Sequence, residues 1–311
     1  MIDIVLVNWN SGAQLREAVA SIAGNHGGVV DRIVVVDNDS VDDSMVNVNL
    51  GDCQIPLDFI FNKNNLGFGA ACNQGAKLCE SEYILFLNPD ARLFRDSLSV
   101  PLDYMRKHEN ANVGISGIQL IDSLGQVSRT CARFPTAFLL IVQTFGLNKV
   151  PWLRSWSHHM DEWDHANDRE VDHVIGAFFL VRRELFESLA GFDERFFVYL
   201  EDLDISYRAR KAGWRSVYLA SAQAFHAGGG TSGQIKAGRL FYALRSRLFY
   251  AFKHFSPVSA WVLAGATLFI EPVSRSVFSI FRGGLKDLGN TLRGYGMLWR
   301  ALPTILKNSR K

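Results

Sequence analysis

Tyr83-Ile84-Leu85-Phe86-Leu87-Asn88-Pro89-Asp90-Ala91 sets five apolar residues in an unbroken run and then stops at a proline. Aromatic and branched side chains in such a run read as a buried strand covered on both faces, as in a parallel sheet. Pro89 has no N–H to give a neighbouring strand, so the ladder ends there and Asp90 falls just past the carboxyl end. In open α/β sheets that edge is where ligands bind. A carboxylate there, with an amide two residues earlier, suits a divalent cation that holds a diphosphate, since magnesium and manganese take oxygen ligands from one or two carboxylates plus phosphates. The plain alternative is an aspartate that caps the next helix.

Outward from this stretch, the chain repeats one theme. Ile2-Asp3-Ile4-Val5-Leu6-Val7 is a strand ending at Asn8-Trp9-Asn10-Ser11-Gly12, and a helix follows to about Ile22. Asp31-Arg32-Ile33-Val34-Val35-Val36 is a second strand, ending at Asp37-Asn38-Asp39-Ser40. Strand, helix and strand at this spacing form a right-handed βαβ unit. No GxGxxG follows the first strand, which disfavours a classical dehydrogenase. Asp37 stands where a carboxylate accepts from a ribose hydroxyl or a base N–H. A turn aspartate bonded to its own backbone explains it as well. Leu57–Phe61 is a third strand, and the glycine-spaced Asn62–Gly75 segment opens a helix of small residues, which allows close approach of a polar ligand to backbone N–H groups.

Val113–Leu120, Val174–Val181 and Trp214–Leu219 read as further strands, with a helix at Arg183–Leu189. Residues 122–172 show no period. They hold Arg129, Arg133, a tryptophan- and histidine-rich run from Trp152 to His159, and Asp161-Glu162-Trp163-Asp164, and read as a loop-rich insertion. Glu201, Asp202 and Asp204 put three carboxylates in four residues at the start of a helix that stops at Gly213. Acids are common at helix starts because the dipole favours them. One of them raised in pKa by its neighbours serves as a general base. His226 follows the last strand and precedes a glycine-rich, lid-like segment, where a neutral imidazole joins a carboxylate as a metal ligand.

At 311 residues, 48% hydrophobic and 21% charged, the chain is globular and long enough for one large domain with an appendage. Met1-Ile2-Asp3 leads straight into a strand without a basic leader, and Cys53, Cys72, Cys79 and Cys131 show no metal spacing. Reduced thiols in a cytoplasmic setting are expected. The net charge of +2 conceals an asymmetry. Residues 232–311 hold 13 Lys and Arg against 2 Asp and Glu, which leaves 20 and 29 for residues 1–231, so net charges of +11 and −9. Arg239-Leu240-Phe241-Tyr242-Ala243 recurs as Arg247-Leu248-Phe249-Tyr250-Ala251, placing the two copies on nearly one helix face. Val258–Ile270 is apolar but ends at Glu271-Pro272, short of the roughly 20 residues of a spanning helix. Basic residues interspersed with Leu, Phe, Trp and Tyr to Leu306 read as amphipathic helices on an anionic membrane surface. Helices packed on the body, with solvated basic faces, are the alternative. No nucleic-acid reader motif is present, so nucleic acid is not an expected partner.

Six stretches carry a family resemblance: Val7-Asn8-Trp9-Asn10, Val36-Asp37-Asn38-Asp39-Ser40, Asn65-Leu66-Gly67-Phe68-Gly69, Leu87-Asn88-Pro89-Asp90, Gly191-Phe192-Asp193-Glu194 and Glu201-Asp202-Leu203-Asp204. In this order they resemble the family 2 glycosyltransferases with the GT-A fold, especially the bacterial rhamnosyltransferase-like branch. The resemblance implies a mixed, mostly parallel α/β sheet flanked by helices over residues 1–232, with a helical appendage at 233–311. It implies a nucleotide-diphosphate-sugar donor, inversion at the anomeric carbon and a divalent cation, magnesium or manganese. Asp37 would bind base or ribose, and Asn8, Asn10, Asn38, Ser40, Asn65, Gly67, Asn73 and Asn88 would line the nucleotide-sugar pocket. Asn88-Pro89-Asp90 stands at the family's Asp-x-Asp position with Asn in the first place, which leaves Asp90 as the carboxylate ligand and His226 to complete the metal site. Asp202 would be the base, with Glu201 and Asp204 orienting it or binding acceptor. The branch implies dTDP-L-rhamnose as donor and, as acceptor, a lipid-linked saccharide or growing surface polysaccharide at the inner face of the plasma membrane. A non-catalytic binding module of the same fold is the rival from another class. A nucleotidyltransferase is a second rival, disfavoured because Asn8–Gly12 holds no Lys or Arg.

Overall fold

The structure is a computed structural model that describes residues 1–51, 53–147, 159–228, 236–282 and 284–309. The chain divides into two compact units, one of Met1–Arg133, Trp163–Glu194 and Glu201–Thr231, the other of Phe134–Glu162, Arg195–Leu200 and Ser232–Lys311.

The first unit is built on one mixed sheet. In chain order its elements are β1 (Ile2–Asn8), α1 (Gln14–His26), β2 (Val30–Asp37), β3 (Leu57–Phe61), α2 (Phe68–Ala76), β4 (Tyr83–Leu87), β5 (Ala91–Leu93), α3 (Ser99–Arg106), β6 (Val113–Ile121), β7 (Val127–Ser128) and β8 (Cys131–Ala132). After a helix of the second unit, α4 (Ala137–Thr144), come β9 (Arg169–Val171), β10 (His173–Val174), β11 (Phe178–Arg182), α5 (Arg183–Ser188), α6 (Glu201–Lys211) and β12 (Arg215–His226). The main sheet runs β3-β2-β1-β4-β11-β6-β12-β5. The first four strands are mutually parallel and β11 joins β4 antiparallel.

Every residue of β1 and of β4 is buried, as unbroken apolar runs covered on both faces require. In α1, Leu15, Ala18, Val19 and Ile22 recur at helical spacing and form the buried face. The small residues of α2 serve packing. A Cβ on Gly75 would meet Val5 Cγ1 at 2.5 Å and Val36 Cγ2 at 3.2 Å, so glycine there lets the helix lie against β1 and β2.

The strand ends coincide. Asn8 pairs with Asp37, and Leu6 with Leu87, so β1, β2 and β4 all run out at one edge. Two expected strands differ. Val174–Val181 divides into β10 and β11 around Gly176, whose N–H is taken by a side chain. The last strand extends beyond Leu219 to His226, because an irregularity between Leu219 and Gln223 lets β12 continue along β6 and then beside β5.

The expected loop-rich insertion at 122–172 also holds regular structure: β7, β8 and β9, with α4 assigned to the second unit. Thr136 caps α4 through the Leu139 N–H. The Trp152–His158 part of the expected aromatic run lies outside the described residues, as does the lid-like segment from 229 to 235.

The second unit also contains α7 (Lys236–His254), α8 (Pro257–Gly265), a π-helical segment (Ala266–Ile270), α9 (Glu271–Arg282) and α10 (Gly284–Asn308). Leu140, Ala251, Ala260 and Leu263 form a small core. Eight residues turn an α-helix roughly 80° beyond two full turns, so the repeated Arg-Leu-Phe-Tyr-Ala segments do not share a face: Arg239 is exposed and Arg247 buried. The apolar run does not end at Glu271-Pro272. Helix continues through it, with the Glu271 N–H bonded to Ala266 O five residues back. Pro272 has no N–H to lose where this wider turn passes into α9.

Candidate active site

The edge where β1 and β2 end is knitted by side chains. Asn8 is fully buried. Its amide donates to Asp37 Oδ1 at 2.7 Å and lies 3.0 and 2.8 Å from the hydroxyls of Ser40 and Ser44. Asp37 Oδ2 accepts the Ser40 N–H at 3.1 Å, and Ser40 Oγ accepts the Asn10 N–H at 2.9 Å. Asn10 and Asp39 both adopt positive φ, 52° and 65°, which Asn and Asp tolerate best after glycine. Asn38 donates to Gly67 O at 3.1 Å, and Asn65 Oδ1 accepts the Gly67 N–H at 2.9 Å, which fixes the start of α2. Gly67 has φ 90°.

Asn8, Asn10, Asp37, Asn38, Ser40, Asn65 and Gly67 therefore form two adjoining turns at one sheet edge. Asn73 is used elsewhere. Its amide brackets Phe192, accepting that N–H at 2.9 Å and donating to that carbonyl at 2.9 Å, and reaches Glu194 at 3.0 Å.

Asp90 follows the β4 run-out in the turn before β5. β12 pairs with β5 so that His226 lies opposite Ala91, and the Ala227 N–H bonds to Asp90 O at 3.1 Å. This register brings His226 Nε2 to 3.3 Å from Asp90 Oδ1, with side chains 12% and 10% exposed. One carboxylate oxygen and one imidazole nitrogen converging in a nearly closed place match the donor set of manganese or magnesium whose remaining ligands are phosphate and water. Among the described residues no group of three or more His, Cys, Asp and Glu could hold a metal. Asp90 and His226 supply two donors, and as two donors they fit a cation shared with a diphosphate.

The three acids of α6 have different surroundings. Asp204 is fully buried and accepts from Arg208 Nε at 2.8 Å. Arg208 in turn donates to Leu189 O and Gly191 O at 2.6 and 2.8 Å. That acid anchors the Leu189–Gly191 turn and is out of an acceptor's reach. Glu201 is buried, and its Oε2 has no hydrogen-bond partner among the described residues. Burial, followed by the charges of Asp202 and Asp204, pushes its carboxyl well above the ordinary range.

Asp202 Oδ2 accepts the Gly176 N–H at 2.8 Å. A Cβ on Gly176 would stand 3.2 Å from that oxygen, so glycine permits the approach. Ala177 O, one residue on, accepts the Asn88 N–H at 3.0 Å. The Gly176-Ala177 pair thus holds Asp202 on one side and the half-buried Asn88 turn on the other. Gly176 escapes a reading of the sequence because it sits inside the Val174–Val181 run that reads as plain strand, and His173, just before that run and after Asp172, carries no motif that marks it.

One edge of the mixed sheet thus carries a carboxylate–imidazole pair, Asp90 and His226, and a separate carboxylate, Asp202, tied to Gly176. The glycosyl transferase family 2 model matches residues 3–190, and the chain belongs to that family. A second model, glycosyl transferase family group 2, matches residues 120–285.

The chain is 30% identical over 195 residues to an N-acetylglucosaminyl-diphospho-decaprenol L-rhamnosyltransferase of Mycobacterium tuberculosis, covering 57% of this chain and 60% of that protein. The match thus spans less than two thirds of that relative. It is 29% identical over 204 residues to the rhamnosyltransferase WbbL of Escherichia coli, covering 63% of this chain and 72% of that one. Among solved structures it is similar to Staphylococcus aureus TarS, TM-score 0.56 at 15% identity over 97% of this chain and 81% of that chain. It is also similar to a Pyrobaculum calidifontis mannosyltransferase in complex with GDP-Man and Mn2+, TM-score 0.55 at 15% identity over 99% and 85%. The fold is GT-A.

Proposed function

We propose that the protein is a divalent-cation-dependent, inverting rhamnosyltransferase that moves L-rhamnose from dTDP-L-rhamnose to a lipid-linked saccharide. The attachment of the Asn88–Asp90 turn and of Asp202 to adjacent residues, Ala177 and Gly176, carries this reading. In this reading the Asn88–Asp90 turn serves the diphosphate and Asp202 serves the acceptor, from neighbouring points of one strand end. The relatives named as rhamnosyltransferases support the sugar, and the mycobacterial name supports the lipid diphosphate acceptor.

Asp90 and His226 would hold the cation, which would offset the charge of the departing diphosphate. Asp37 and the Asn8–Ser40 turn receive base and ribose. Asp202 takes the proton of the acceptor hydroxyl as its oxygen attacks the anomeric carbon from the side opposite the diphosphate. Purified protein given a panel of nucleotide sugars, with manganese, magnesium or chelator, is expected to turn over dTDP-rhamnose in preference and to lose turnover with chelator. Preference for another nucleotide hexose overturns the donor assignment, and metal-independent turnover overturns the roles of Asp90 and His226.

Residues 1–232 form the catalytic region in this reading, and 233–311 place it on the inner face of the plasma membrane. Pro257–Ile280 is long and apolar enough by composition to cross a membrane. Its surroundings favour lying flat on an anionic bilayer. One face is buried in the helical unit through Ala260, Leu263, Ala264, Thr267 and Leu268, while Val258, Trp261, Val262, Phe269, Val273 and Ile280 are exposed along the other. A two-sided helix in a region of net charge +11 suits such a surface. Each such side chain moved into lipid contributes about 1.5–3 kcal/mol. The protein is expected to sediment with phosphatidylglycerol-containing vesicles, to be released by high salt, and to lose binding in Trp261→Ala/Phe269→Ser while keeping donor turnover. Retention through alkaline extraction marks a spanning helix instead.

A further inference from the structure

His173 stands behind Asp202, in a place the mechanism above does not use. It is buried, and its contact with Ser206 fixes which ring nitrogen carries the hydrogen. Ser206 Oγ donates to Asp202 O at 2.7 Å. A carbonyl only accepts, so the single hydroxyl hydrogen of Ser206 is spent there. His173 Nδ1 lies 3.2 Å from the same hydroxyl. That contact has the imidazole as donor, and Nδ1 carries a hydrogen. In the neutral ring the lone pair is then on Nε2. Nε2 lies 3.6 Å from Asp202 Oδ2, with the two side chains 9% and 13% exposed. Oδ2 is also the oxygen anchored by Gly176.

The base thus has an acceptor lone pair aimed at its own oxygen from inside the protein, away from water. A separation of 3.6 Å is long for a hydrogen bond, and such contacts tighten in the reacting complex. Imidazole is ordinarily a stronger base than carboxylate.

The geometry points to His173 as a positioning residue that draws off, at Nε2, the proton Asp202 takes from the acceptor. This rests on Asp202 as the base. In the step the acceptor O–H bond breaks, its oxygen bonds the anomeric carbon, and the bond to the diphosphate breaks with its electron pair. The proton passes through Asp202 Oδ2 to Nε2, which leaves an imidazolium beside a regenerated carboxylate. Ser206 and Gly176 keep the two partners in register by holding Nδ1 and Oδ2.

The test compares His173→Ala, His173→Gln and Asp202→Asn in the full chain, measuring kcat and donor KM, with unfolding midpoints as a control on the fold. His173→Ala is expected to lose roughly 10- to 100-fold in kcat with donor KM unchanged, and added imidazole to restore part of it. Gln can hydrogen-bond Asp202 but has no group basic enough to take the proton, so His173→Gln stays as slow as the alanine variant. Wild-type kcat in His173→Gln overturns the relay and leaves a structural contact only, and wild-type kcat in His173→Ala overturns any role. Undiminished turnover in Asp202→Asn overturns instead the reading on which the relay rests.

Discussion

Asp202→Asn lowers turnover by about 10²- to 10⁴-fold, the range of a lost general base, while donor affinity stays near that of the parent. The amide is nearly isosteric with the carboxylate and keeps one oxygen to accept the Gly176 N–H that Asp202 Oδ2 takes at 2.8 Å. What it cannot do is hold a proton from the acceptor. The Leu203 N–H, which Asp202 Oδ1 accepts at 2.8 Å, then faces the donor NH2 of the amide, so a loss of about 1–3 kcal/mol in stability accompanies the substitution.

Its electrostatic consequence has a definite sign. Burial and then the Asp202 charge raise Glu201, and removing that charge moves Glu201 back toward the ordinary range. Initial rates at saturating donor and acceptor, with donor titration alongside, check the result. Turnover within a few-fold of the parent would sink the assignment of the base. Asp90→Ala separates the two roles, because it changes the dependence on cation concentration, which Asp202→Asn leaves alone.

How much of this was legible beforehand follows from the range of each interaction. β1, β2 and β4 and the edge where they end are written locally, as apolar runs stopped by Asn8, Asp37 and Asn88-Pro89. Periodicity and punctuation suffice for such elements. The approach of His226 to Asp90 is not local. It depends on β12 bending near Leu219 and continuing beside β5, and nothing in Trp214–Leu219 signals that continuation. The family resemblance, rather than spacing, paired those two residues.

Asn8 and Asn73 show the reverse difficulty. Asparagine in a polar loop reads equally as ligand contact or as backbone clamp, and the structure gives Asn73 to the Phe192 backbone. His173 stands between Asp172 and Val174, at the margin of the irregular 122–172 stretch and just before the apolar run, and a single histidine there carries no motif. The helix across Pro272 is not legible in the sequence, because a proline ordinarily stops one and the π-helical turn that accommodates it has no signature in Ala266–Ile270.

Glu271→Gln destabilises the helical unit by about 3–5 kcal/mol, the cost of breaking a buried ion pair by removing one partner. The Glu271 side chain is 1% exposed and that of Arg247 10%. Arg247 donates to both carboxylate oxygens and to Thr267 Oγ1 at 2.9 Å, and its Nε has no partner among the described residues. Arg275 Nε donates to Glu271 Oε1 at 2.8 Å but is 41% exposed. With the carboxylate gone, Arg275 can turn to water. Arg247 cannot, and its charge stays buried without a counter-charge.

The effect is therefore not additive. Glu271→Leu combined with Arg247→Met removes both charges and is expected to be far less destabilising than Glu271→Gln alone, since apolar replacement of a buried pair is often neutral or stabilising. Acid separates the cases again. Burial alone would raise Glu271, but Arg247 and Arg275 more than offset it and hold the carboxyl below its ordinary 4.5. A depressed carboxyl contributes stability above the unfolded value and loses it as pH falls through the folded one. The parent thus loses stability below about pH 4.5 through this group, and the double variant lacks that loss. Denaturant midpoints followed by far-ultraviolet circular dichroism, at neutral pH and below that value, read both effects. A Glu271→Gln midpoint matching the parent's would show that Arg247 finds another partner, and the network would then hold nothing together.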